Sequence, residues 1–173
     1  GQRGNSWESE PNKNVTLSLV LHPSFLQPSE QFLLTKITSL AVADLMAEIL
    51  DSTLNSNRIH IKWPNDIYVN DKKIAGILIE NYLRENVIQT SIVGLGINVN
   101  QDIFHTTPKA VSVYSLTRKI SDLQQCIERF CEYFEARYLQ LKANKLQKLD
   151  EDYLRYLYRL NEWNTYTTAA NQA

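Results

Sequence analysis

The residues of this chain whose types and spacing could do chemistry begin with Lys62-Trp63-Pro64-Asn65-Asp66 and continue to Glu80. A cation, an aromatic, an amide and a carboxylate stand within five positions; a turn, a second cation (Lys73) and a glycine (Gly76) follow. Burying such groups unpartnered costs roughly a few kcal/mol each, so a plain core strand would not carry them in a row. The pattern is that of a ligand site, completed by something outside the chain. No nucleophile and base share a motif: His22, His60 and His105 are scattered, and neither a Ser-His-Asp nor a Cys-His arrangement can be argued.

A β-hairpin must position this stretch. Ile67-Tyr68-Val69 is β-prone, Asn70-Asp71 supplies turn chemistry, and Ile74 to Ile79 is a β-branched return strand. Pro64 prevents a regular central strand at its own position, which sets Asn65 and Asp66 at a strand mouth. Strict alternation puts Lys73 on the opposite face from Gly76 and Leu78, so a bulge near Gly76 is required if all three meet one ligand.

Around the hairpin, Val15 to His22 alternates as a half-buried strand, and Pro23 ends it. A helix starts at Pro28-Ser29-Glu30 and carries Leu33, Ile37, Leu40, Ala41, Leu45 and Ile49 at helical spacing to Leu50. The polar loop Asp51–Asn57 leads to the short strand Ile59–Ile61, and Val87–Val99 forms a further strand containing Gly94-Leu95-Gly96-Ile97-Asn98. About five strands result, mainly antiparallel. Asn100 to Ile120, with Pro108, reads as an irregular surface loop. Ser121-Asp122 caps a helix with stripe Leu123, Ile127, Phe130, Phe134, Tyr138 and Leu141; a second carries Leu146, Leu149, Tyr153, Leu157 and Leu160. Periodicity is lost from Asn161.

At 173 residues, 43% hydrophobic, the chain suits one domain with a real core. Eighteen basic against 19 acidic residues leave a net charge of −1, which carries no footprint for nucleic acid. Cys126 and Cys131, five apart in a helical pattern, form neither a metal cluster nor an obvious bridge. With no signal peptide and no apolar run of membrane length, the reading is cytoplasmic. The loop-like start Gly1 to Trp7 looks cut from something longer.

Taken together in order and spacing, Gly1 to Ser9, Lys62 to Asp66, Lys73 to Leu78 and Gly94 to Asn98 resemble the catalytic domain of the biotin protein ligases. The resemblance implies an α/β domain of the α+β type over residues 1–160. Its sheet is mixed and mainly antiparallel, with helices packed on one side, similar to class II aminoacyl-tRNA synthetases and lipoyl ligases. Residues 161–173 then form a linker or the start of a small C-terminal barrel.

The implied reaction has two steps: biotin and ATP give biotinyl-5′-adenylate, and a lysine of a biotin carboxyl carrier protein, as in acetyl-CoA carboxylase, attacks the mixed anhydride. Bringing two anions together needs positive charge where charge accumulates. The resemblance assigns that role to Lys73, and biotin contact to Gly1, Gln2, Arg3, Lys73, Gly76, Leu78, Gly94 and Gly96. Adenylate or ATP contact falls to Trp7, Lys62, Asn65, Asp66 and Asn98, with Mg2+ on Asp66. Gln2 and Asn5 depart from the family's loop, which carries arginines there.

For each residue a plainer role competes: a solvated turn lysine for Lys73, a polar turn for Lys62 to Asp66, a strand-end cap for Asn98, a buried tryptophan for Trp7. A dinucleotide fingerprint at Gly94-Leu95-Gly96 is excluded, because the third glycine is absent and a strand continues where a helix should begin. The resemblance further implies biotin-contacting strands before Gly1, so this piece alone should be a weak or inactive ligase; it also allows a homodimer. Two alternatives stand beside it: a lipoyl ligase or acyltransferase of the same fold, and a non-catalytic adenylate-binding module.

Overall fold

The computed structural model describes residues 7–50, 59–107, 109–163 and 165. Gly1, Gln2, Arg3 and Asn5, the polar loop Asp51–Asn57, Pro108 and most of the segment after Trp163 therefore lie outside the described residues.

Five strands, β1 (Val15–Leu21), β2 (Ile59–Lys62), β3 (Asp66–Val69), β4 (Lys72–Arg84) and β5 (Val87–Ile97), form one sheet in the order β1-β5-β4-β3-β2. Every ladder among them is antiparallel. Among the described residues the parallel component is two single bridges, Ile61 with Leu157 and Lys73 with Ala110. The β3–β4 turn is the pair Asn70-Asp71, with φ of 50° and 61°, the left-handed conformation at both positions that a two-residue hairpin turn requires.

Alternation along the strands makes one face of the sheet apolar. Val15, Ile59, Ile61, Ile67, Val69, Ala75, Ile77, Leu95 and Ile97 are buried beneath the helices, while Thr16, Ser18, His60, Lys62, Asp66, Tyr68 and Leu78 fall on the open face.

Helix α1 (Phe32–Leu50) follows a 3-10 turn at Pro28–Glu30, in which Glu30 accepts a hydrogen bond from the Gln27 N–H at 2.9 Å. The helix thus begins three residues after the expected Ser29. Leu34, Ile37, Leu40, Ala41, Val42, Leu45 and Met46 are all buried, so α1 is covered on nearly every side, sandwiched between the sheet and the last helices.

Helix α3 (Leu123–Lys142) starts where expected: the Asp122 carboxylate accepts from the Gln124 and Gln125 N–H groups at 2.8 and 3.3 Å. Phe130 and Phe134 enter the core from it. Arg137 reaches across to Asp44 of α1 at 2.8 Å and to Asp152 of helix α4 (Leu146–Tyr156) at 2.7 Å, fastening three helices at one guanidinium.

Two expectations are corrected. Asn100–Ile120 is no plain surface loop: it contains helix α2 (Val113–Thr117), and Val111, Ser112 and Val113 are buried. Ser112 accepts from the Ser115 N–H at 3.0 Å, and Ser115 in turn takes the Ser112 N–H at 2.9 Å, a reciprocal cap that starts the helix. The last helix also stops at Tyr156. Leu157 instead bridges Ile61, and Tyr158 N–H donates to the Ile61 carbonyl at 2.9 Å, covering the β2 edge.

Among the described residues both cysteines are free, and no helix is long and apolar enough to cross a membrane.

Candidate active site

The floor of the site is the pair of strands β4 and β5 where they carry no side chains. Gly76 and Gly96 are direct partners in the ladder, and Asp66 of β3 pairs with Gly76 on the other side. A Cβ on Gly96 would lie 2.5 to 2.9 Å from the Trp7 ring, and one on Gly76 would lie 3.0 Å from the same indole. The glycines are thus needed because the Trp7 indole packs against both strands. Gly94 serves a different neighbour: its Cβ would meet the Leu78 carbonyl at 3.3 Å.

Lys73 reaches this floor by the bulge that simple alternation required. Register shifts between Ile67 and Tyr68, which pair with Ala75 and Lys73, so Ile74 has no partner in β3. Ile74 and Ala75 are both buried on the helix side, and the extra residue rotates Lys73 onto the face of Gly76. A Cβ at Gly76 would lie 3.3 Å from the Lys73 amine. That amine sits 2.6 Å from the Asp66 carboxylate and 5.7 Å from the Trp7 ring centroid. Both partners of the ion pair keep some exposure, 28% for Lys73 and 20% for Asp66, so an incoming ligand can compete for either.

The backbone around Lys73 is held from the segment beyond β5. Lys73 N–H donates to the Lys109 carbonyl at 2.8 Å, and Val111 N–H donates to the Lys73 carbonyl at 2.9 Å. Asn98, 3% exposed, donates from Nδ2 to the Val111 carbonyl at 3.1 Å and more weakly to that of Lys73 at 3.4 Å. Part of its amide therefore does the strand-end capping that a plain reading of Asn98 expects. Among the described residues its Oδ1 is buried without a partner, and so is the Trp7 Nε1. An acceptor and a donor are left over, as at a site that a ligand completes.

Asn65 is committed to the fold: its Nδ2 donates to the Ile77 carbonyl at 2.8 Å and its own carbonyl accepts the Ile77 N–H at 2.9 Å, which closes the strand mouth onto β4. Trp63 and Pro64 are joined by a cis peptide bond, and Trp63 is largely exposed. Lys62 is exposed on the open face, its amine 5.0 Å above the Tyr68 ring and within 3.2 Å of that hydroxyl. Leu78 is half-buried on the same face.

Lys62, Asn65, Asp66, Lys73, Gly76, Leu78, Gly94, Gly96, Asn98 and Trp7 are thus gathered on or beside one sheet face. The separate cleft of about 370 Å3 between α1, α2 and α3, lined by Glu48, Asp122 and Arg129 among others, lies on the helix side and contains none of them.

Glu8 is the residue that sequence reasoning passed over. Its carboxylate accepts from the His105 N–H at 2.6 Å, the Thr106 N–H at 2.8 Å and the Thr106 hydroxyl at 2.6 Å. The Thr106 hydroxyl, then the His105 amide, hold it far below the usual carboxylate range, at about 2. Its partners stand nearly a hundred positions away, so no local signal announces it.

A helix-backed antiparallel sheet with a cation–carboxylate pair on its open face gives the class: an α+β domain of the class II synthetase-like fold. The model of the biotin/lipoate A/B protein ligase family matches residues 1–98, and the chain belongs to that family. It is 38% identical over 102 residues to the bifunctional ligase/repressor BirA of Bacillus subtilis, covering 58% of this chain and 29% of that protein. With the BirA of Bacillus spizizenii it shares 34% over 143 residues, covering 80% of this chain and 42% of the relative. The biotin protein ligase of Aquifex aeolicus in complex with biotin and ATP superposes with a TM-score of 0.77 at 25% identity, over 92% of this chain and 64% of that one. The chain therefore spans less than half the length of these two curated relatives.

Proposed function

We propose that this chain carries the active-site sheet of an ATP-dependent biotin protein ligase. The observation that carries the reading is the Lys73 amine, turned by a bulge onto a side-chain-free floor beside Asp66 and two orphaned polar atoms. The relative from Aquifex that holds biotin and ATP supports the choice of ligands.

In the first step a biotin carboxylate oxygen attacks the α-phosphorus of ATP. An O–P bond forms, the bond to the β-phosphate oxygen breaks, and pyrophosphate leaves. Two anions must approach, and the Lys73 ammonium is placed to bridge the carboxylate and the α-phosphate as a point charge. Trp7 offers an aromatic surface to the adenine and an unpaired N–H, while Asn98 Oδ1 offers an acceptor. Lys62, at the exposed edge of the same face, steadies the phosphates.

In the second step the amine of a carrier-domain lysine attacks the acyl carbon of the adenylate. An amide forms, AMP leaves, and the amine proton passes to solvent.

Among the described residues no group of three or more His, Cys, Asp or Glu could hold a metal ion by itself. Asp66 would hold Mg2+ together with nucleotide phosphates, the usual mixed set for this ion, and the ion would neutralise charge on the leaving pyrophosphate. The open face meets solvent and the cysteines are free, which suits a cytoplasmic enzyme acting on a soluble carrier.

Calorimetric titration of the chain with biotin, ATP and a non-hydrolysable biotinyl-adenylate analogue tests the reading. Measurable binding of the analogue is expected, with pyrophosphate exchange that depends on biotin but is weak in this piece alone. Exchange supported by lipoate and not by biotin would move the chain to the lipoyl branch of its family. Absence of analogue binding would overturn the proposal.

A further inference from the structure

Trp7 lies on the glycine floor, yet among the described residues its indole N–H has no hydrogen-bond partner. The next residue, Glu8, is anchored. The two Glu8 carboxylate oxygens divide three donors: Oε1 takes the His105 N–H, and Oε2 takes both the N–H and the hydroxyl of Thr106. Consecutive amides turned toward one carboxylate make a small anion-binding concavity. Farther along, Glu10 N–H and the Asn14 amide both donate to Gln101 Oε1, at 3.0 and 2.6 Å, and Asn14 Oδ1 accepts the Val99 N–H at 3.0 Å. The segment bearing Trp7 is stitched at several points to the chain leaving β5, the same chain that fixes the Lys73 backbone through Lys109 and Val111.

We propose that Glu8 is a positioning residue for the active site: by clamping the His105–Thr106 amides it holds the Trp7 indole over Gly76 and Gly96 beside Lys73. The indole then forms a ready-made wall for the adenylate. That last consequence rests on the ligase reading above; the clamp on Trp7 itself does not.

The test uses a version of the chain with Trp63→Phe and Trp163→Phe, so that Trp7 is the sole tryptophan emitter. Acrylamide quenching and the affinity for the biotinyl-adenylate analogue are measured in that background and with Glu8→Ala, Glu8→Gln and Thr106→Val added. Glu8→Ala should raise the Trp7 quenching constant about twofold or more and weaken the analogue about tenfold, on the order of a lost pair of charge-assisted hydrogen bonds. Glu8→Gln keeps acceptors and should restore part of both; Thr106→Val, which removes one of three donors, should fall between. In pyrophosphate exchange the loss should appear in KM for ATP more than in kcat.

Unchanged quenching and affinity in Glu8→Ala would overturn the inference while leaving the ligase reading intact. Raised quenching in a chain that binds no analogue even with Glu8 present would support the clamp and refute the ligase reading. Should Glu8→Ala not fold, Thr106→Val decides alone, because it leaves the carboxylate and both amides in place.

Discussion

At the scale of single residues the site depends on one amine. Lys73→Ala should reduce biotin-dependent pyrophosphate exchange by roughly a hundredfold or more, the usual scale for removing one group that stabilises developing charge. The thermal midpoint should hardly move, since the side chain is partly exposed and its ion pair with Asp66 is solvated. A non-catalytic adenylate binder would lose only modest affinity on the same change, so paired kinetics and calorimetry separate the two readings. Gly96→Ala should act sterically: a methyl group 2.5 Å from the indole must push Trp7 aside, and raised Trp7 quenching with weakened adenylate binding is expected. Glu8 adds a pH signature. Its carboxyl is held at about 2, below the ordinary carboxylate value near 4.5, chiefly by the Thr106 hydroxyl and then by the His105 amide. A depressed folded-state value means that the clamp is intact above the unfolded value and is lost as pH falls from about 4.5 through about 2. Trp7 quenching should therefore stay flat from neutral pH to about 4.5 and climb below it, a rise absent in Glu8→Ala.

At the scale of elements, the helix layer holds the sheet from behind, and Arg137 is its fastening. Burial works against the Asp152 carboxylate, but hydrogen bonds from Lys148 and Arg137 outweigh it and hold the group below its usual value. Arg137→Ala leaves Asp44 and Asp152 facing each other without their shared cation. A loss of about 3 kcal/mol in denaturant unfolding is expected, with smaller loss at acidic pH where Asp152 becomes protonated. The strands, their order along the chain and the two-residue turn at Asn70-Asp71 were readable from alternation and turn chemistry, because both are local signals. The bulge was readable only conditionally: alternation could say that Lys73 needed one, whereas its seat at Ile74 depends on which side chains the helices bury. Helix α2 was missed because it is five residues long and its capping partner is Ser115, not the Glu or Gln that usually marks such a start. The end of α4 was overrun because Leu157 and Leu160 keep helical spacing while Leu157 has left the helix to join the β2 edge.

At the scale of the molecule, the arrangement separates support from reaction: apolar alternation faces α1 and α3, and nearly all the charge of the site stands on the other side. Lys62-Trp63-Pro64-Asn65-Asp66 revealed the second layer because it breaks the rule for the first. What remained illegible is held together by long sequence separation, as with Glu8 and Thr106 or Tyr158 and Asp71, where the Tyr158 hydroxyl donates to the carboxylate of the hairpin turn at 2.7 Å. Pairings of that kind leave no periodicity to find.

The seat of the bulge has a further consequence. Ile74 is a fully buried peg at the bulge, next in the chain to Lys73, so a change in how it packs is expected to change the aim of the neighbouring ammonium. Trimming it, as in Ile74→Val, touches no substrate and should cost about 1 kcal/mol of stability, yet it would loosen the aim of the amine from behind, like a gun-sight disturbed at its mounting screw.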